Sequence, residues 1–91
     1  MTTEDAQAIA LQAIIFIVSE DDLQERFVAL SGLDGDAIKA RLTDNDFLVG
    51  VLDFLINFEP DLIACAEHLD TSPETLTSAW RALGGGQGQE W

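Results

Sequence analysis

Apolar residues recur three and four positions apart along almost the whole chain, and a residue that starts or stops a helix stands between successive stretches. No stretch keeps the two-residue alternation of a half-buried strand. A chain punctuated this way must bury several short amphipathic helices against one another. The expected fold is therefore all-α, a compact orthogonal bundle of about six short helices. At 91 residues there is room for one core. The single helical domain is expected to span residues 1–83, and 84–91 reads as a flexible glycine-rich C-terminal tail.

The spacing predicts a first helix over 3–18, opened by Thr2 with Asp5 three positions on, as in a capping box. Ile9, Ala10, Ala13, Ile14 and Ile17 form its inner stripe. Leu11, Ile15 and Val18 widen that stripe, so the helix is expected to be covered on two sides. Ser19 reads as the next cap, with Val18 and Leu23 as a hydrophobic staple. Gly32 fits a left-handed stop and Asp34 caps a short third helix with Ile38 and Leu42 inside. Asp44 or Asn45 opens the fourth helix. Its Phe47, Leu48, Val51, Leu52, Leu55 and Phe58 make it the expected centre of the fold, with Asp46, Gly50, Asp53 and Asn57 as the polar strip. Pro60 suits the first turn of a fifth helix whose Ile63, Ala66 and Leu69 face inward. Ser72 and Pro73 start the sixth, which adds Leu76, Ala79, Trp80 and Leu83.

Charge narrows the function classes. Seventeen carboxylates face four basic residues, a formal net charge of -13. Such a field repels nucleic acid and anionic lipid. Many carboxylates stand at predicted helix starts, where the positive end of the helix dipole accepts them: Asp5, Asp21, Asp22, Asp34, Asp36, Asp44, Asp46, Asp61 and Glu74. Capping does not require the whole imbalance, however. No lysine or arginine occurs from Leu42 through Trp80, while Asp44, Asp46, Asp53, Glu59, Asp61, Glu67, Asp70 and Glu74 accumulate. A basic protein partner could use that field for fast, salt-sensitive association. The opening Met1-Thr2-Thr3-Glu4-Asp5 lacks the basic stretch of a secretion signal, and the apolar run Ala13 to Val18 is too short to cross a bilayer. With Cys65 as the single cysteine, the expected setting is the cytoplasm.

No residue set reaches the standard of an active site. Asp61, Cys65 and His68 can share a helix face, but no further Cys or His completes a zinc shell. Asp44-Asn45-Asp46 and Asp34-Gly35-Asp36 lack the glycine and terminal glutamate of a calcium loop and read as caps. Cys65 and His68 have no evident activating neighbour, and the terminal glycines follow no strand. No cofactor is expected. Residues 27–33 followed by 34–42 could form a helix-turn-helix, but Lys39 and Arg41 would share the second helix with Asp34 and Asp36. Apolar surplus at Leu11, Ile15, Phe16 or Leu62 could leave a homodimer patch or a partner groove.

Three segments carry a resemblance: Ile9-Ala10-Leu11-Gln12-Ala13, then Phe27-Val28-Ala29-Leu30-Ser31-Gly32-Leu33, then Val51-Leu52-Asp53-Phe54-Leu55 followed by Glu59-Pro60. In that order they resemble a small alphaproteobacterial family, domain of unknown function thirty-five seventy-two. The chain departs from it at Gly35, Asn45 and Cys65. The resemblance implies a bacterial cytoplasmic protein and a single helical domain. It carries over no catalytic or binding residue, although Asp53 and Glu59 belong to its pattern.

The reading reached from sequence is a non-enzymatic acidic interaction or accessory domain whose expected partner is another protein, of basic character by charge complementarity. The expected contact surface combines Asp46, Asp53, Asn57, Glu59 and Asp61. A nucleic-acid-binding helix pair and a structural homodimer are the alternatives.

Overall fold

The computed structural model describes residues 1–85, and in it six helices close into one compact bundle. They are α1 (Thr3–Ser19), α2 (Asp21–Ser31), α3 (Gly35–Ala40), α4 (Asn45–Ile56), α5 (Glu59–His68) and α6 (Pro73–Ala82). Four begin on a side-chain cap. Thr2 Oγ1 accepts from Asp5 N at 3.1 Å and Asp34 Oδ1 from Ala37 N at 2.9 Å. Asp44 Oδ1 accepts from Asp46 N at 3.0 Å and Ser72 Oγ from Thr75 N at 3.3 Å. Each cap satisfies a backbone donor that the helix itself leaves free.

The ends are equally defined. Gly32, at φ 72°, closes α2 with its N–H on the Val28 carbonyl at 2.8 Å. At the end of α5, Thr71 N–H reaches Ala66 O at 2.8 Å and Asp70 N–H reaches Glu67 O at 3.1 Å. This is a Schellman motif with Asp70, at φ 54°, in the left-handed position usually given to glycine. The same pair of bonds ends α6, from Gly85 to Trp80 and from Gly84 to Arg81. Gly84 and Gly85 thus belong to the cap of α6. The rest of the expected flexible tail, 86–91, lies outside the described residues.

The core sits between α1, α4 and α6, which pack on one another, with α2 and α5 laid against the outside. Ala6, Ala10 and Ala13 let neighbours approach α1 closely, and Leu48, Val51, Leu52, Leu55, Leu76 and Ala79 fill the space between. All nine are completely shielded from solvent.

Several sequence expectations change, among them Phe58, expected in the core of α4 but lying half-exposed beyond the end of that helix. Helix α1 is covered on one side only: Leu11, Ile15 and Val18 are exposed, while Ala6 and Phe16 join the core instead. The stripe was too wide for the partners available. Ser19 does not cap α2. It is the last residue of α1, and its hydroxyl donates back to the Phe16 carbonyl at 2.8 Å. Glu20 holds the cap position without a side-chain bond. On α5, Cys65 and Ala66 are buried and Ile63 is exposed, so the inner face is rotated from the one expected.

Candidate functional site

The half-turn of chain that leaves α4 builds one end of a groove. Asn57 closes the helix by donating from Nδ2 to the Asp53 carbonyl at 2.9 Å and to Asp53 Oδ2 at 3.0 Å. That clamp fixes two polar groups side by side on the outer face of α4. One helical turn apart on the same side stand Phe54 and Phe58. Facing them from α2 are Arg26, Phe27 and Leu30. Together these residues enclose a hollow of about 430 Å³ that also reaches Gly50. Phe27 packs edge-on against Phe54, with centroids 5.3 Å apart and planes at 77°, and so forms the floor. Leu30 is 78% exposed and Phe58 48% exposed, so the walls are apolar and open to solvent.

Arg26 forms the other boundary. Its guanidinium carbon lies 5.8 Å from the Phe54 centroid and 5.2 Å from that of Phe58, a cation–π arrangement. The same group bonds to Asp61 Oδ2 on α5, the one ion pair among the described residues. Asp61 is well covered and Arg26 half open, at 15% and 45% side-chain exposure. On the far side of Arg26 lies a second, more polar hollow of about 660 Å³, lined by Glu20, Asp22, Asp61, Glu67 and His68 over Phe16 and Leu23. Arg26 is therefore a wall shared by an apolar groove and an acidic one.

The residues expected from sequence divide accordingly. Asp53 and Asn57 line the apolar groove and Asp61 anchors its Arg26 wall. Glu59 is exposed in the first turn of α5. Asp46 is exposed in the first turn of α4, roughly 16 Å along the axis from Asn57. The groove residues Arg26, Leu30, Phe54 and Gly50 were not singled out as a site. Gly50 was the available signal: a glycine inside an otherwise strong apolar helix lowers its stability by about 1 kcal/mol relative to alanine. A Cβ built there would meet nothing within 4 Å, so packing does not demand it.

Asp61 and His68 line the second hollow, but each is engaged elsewhere, and Cys65 does not reach it. Asp61 holds Arg26, and the His68 ring lies 5.1 Å from that of Phe16. Cys65 is fully buried, and burial pushes its thiol from 9.0 up to about 11. A thiol held so far above neutrality is almost wholly protonated near neutral pH. Among the described residues no group of three His, Cys, Asp or Glu is placed to share a metal ion. None of the described helices is long and apolar enough to cross a membrane. In the α2–α3 pair, the six-residue α3 presents Asp34 and Asp36 at its start, and Arg41 lies beyond its end as the C-cap.

No curated protein and no solved structure matches the chain. Residues 3–86 match the family model described as protein of unknown function (DUF3572), which spans all six helices, and the chain belongs to that family.

Proposed function

We propose that this domain is a non-enzymatic protein-interaction module that takes up a partner protein in the groove between α2 and α4. The observation that carries the reading is the open aromatic hollow itself. Leu30, Phe54 and Phe58 surround space that the fold leaves unfilled, beside polar groups fixed in place by the Asn57 clamp. Exposed apolar surface with a polar rim is the usual anatomy of a binding site. Single apolar anchors seated in such hollows supply most of the affinity at many interfaces.

The strong negative charge selects the partner class. Asp53 stands at the groove and Asp61 beneath it, and no lysine or arginine occurs from Leu42 through Trp80. A basic protein would be drawn to this side and an acidic one repelled.

A homodimer is the second reading, favoured by a different surface. Leu11, Ile15 and Val18 lie four and three residues apart on α1 and are exposed, Ile15 at 61%. A second copy would cover that stripe and leave the groove free.

One experiment separates the two. A photo-crosslinking amino acid is placed at position 30 in one strain and at position 11 in another, in cells that encode the chain. The groove reading predicts a discrete heterologous adduct from position 30 that disappears when Gly50→Leu fills the hollow. An adduct of twice the chain's mass from position 11, with none from position 30, would replace the groove reading with the dimer.

A further inference from the structure

Resting on the groove reading, we infer that the occupant is an amphipathic helix that seats apolar side chains between α2 and α4 and places a lysine or arginine in the acidic hollow across Arg26. Two independent features lead there, one concerning backbone and one concerning charge.

Both walls of the groove are α-helical, and their N–H groups there are spent on hydrogen bonds within the chain, so that only last-turn carbonyls remain to accept. An extended segment laid between them would lose water from its backbone carbonyls and find no N–H donor in exchange. A helix satisfies its own backbone and presents only side chains. Gly50 fits this occupant. The missing side chain deepens the groove at mid-length of α4, where nothing in the fold needs the space.

Arg26 lines both hollows and is the only lysine or arginine among the described residues that lines either, with His68 beside it at the second. Its charge is already answered by Asp61. Across that pair, Glu20, Asp22 and Glu67 face the second hollow with no ion-pair partner among the described residues. A helix anchored in the apolar groove reaches that hollow with a residue three or four positions from its anchor, the spacing of one helical face. A cation there meets three carboxylates. An anion there is repelled.

The test is selection of a displayed library of random 16-residue peptides on the full 91-residue chain. Enriched sequences are then synthesised and titrated against the native chain and three variants. The inference predicts apolar residues at helical spacing with lysine or arginine three or four positions away. Gly50→Leu and Leu30→Ala each weaken binding about tenfold or more, as loss of an anchor contact does. The triple variant Glu20→Gln, Asp22→Asn, Glu67→Gln keeps the apolar preference and loses the basic one, and the native chain loses affinity as salt rises. Because Leu30 is exposed, its truncation tests the groove without a folding cost.

Apolar peptides without a basic excess would overturn this inference and leave the groove reading standing. Failure to enrich any peptide, or enriched peptides indifferent to both Gly50→Leu and Leu30→Ala, would overturn both. A concentration-dependent dimer abolished by Leu30→Ala would assign the groove to a second copy and overturn the inference.

Discussion

The face of α4 turned toward α1 and α6 and the face that borders α2 differ in how completely they are filled. On the first, Leu48, Val51, Leu52 and Leu55 have no solvent exposure, and the small residues of α1 close the remaining space. On the second, Gly50, Asp53, Phe54 and Asn57 border a hollow of about 430 Å³. One helix thus carries a sealed side and an open side. The sealed side supplies the stability of the domain. The open side leaves Leu30 and Phe58 exposed at its rim, where they contribute little to folding. The two glycines that bear on this contrast act in opposite ways. Gly85 is required, because a Cβ there would overlap the Trp80 indole. Gly50 is not, because a Cβ there meets open space.

The contrast breaks if the two sides respond alike to truncation. Leu52→Ala should lose about 2–5 kcal/mol of unfolding free energy, from lost burial plus the cavity left behind. Leu30→Ala should stay within about 0.5 kcal/mol of the native chain. Urea denaturation of both measures the difference, and comparable losses would show that the groove is part of the core.

The next effect is on the sealed side and depends on pH. Cys65 is held protonated by burial, with its folded value raised to about 11. A raised folded value means the contribution is complete below the unfolded value near 9.0 and is lost as pH rises from there to about 11. Thermal unfolding should therefore fall across that window, and Cys65→Ala should flatten the decline. A native thiol that reacts with maleimide near neutral pH as fast as the unfolded chain would contradict the sealed environment.

The two glycines give smaller effects of opposite sign. Gly85→Ala forces the indole of Trp80 to move and should cost about 1–3 kcal/mol, with a changed near-ultraviolet dichroism signal. Gly50→Ala replaces a poor helix former with the best one in free space and should stabilise by about 1 kcal/mol. A destabilising Gly50→Ala would mean that the open side is closed by contacts absent from this account.

Much of the bundle was legible because local chemistry determines it. Thr2, Asp34, Asp44 and Ser72 cap the helices they were expected to cap, and Gly32 takes the left-handed position. Such features depend on a few consecutive residues. Where the reading failed, the deciding contacts were distant in sequence. Ile15 and Ile63 are as apolar as Ile17, yet both are exposed where Ile17 is buried. Phe58 was read as core, but the chain turns at Asn57 and leaves its ring half-exposed beneath Arg26. The site was legible only in part for the same reason. Asp53, Asn57 and Asp61 were singled out by charge and spacing, while Arg26 reaches Asp61 across 35 positions of sequence. Nothing local to residue 26 announces that partner.

The measurement that tests the central claim most directly combines stability and binding in one variant, Gly50→Leu. Its unfolding free energy is determined by urea denaturation, and the yield of the position-30 crosslink is determined in cells. The account predicts a domain at least as stable as the native one with the crosslinked adduct gone. A destabilised domain, or an adduct that persists at native yield, would contradict the claim that the open side of α4 exists for binding rather than for folding.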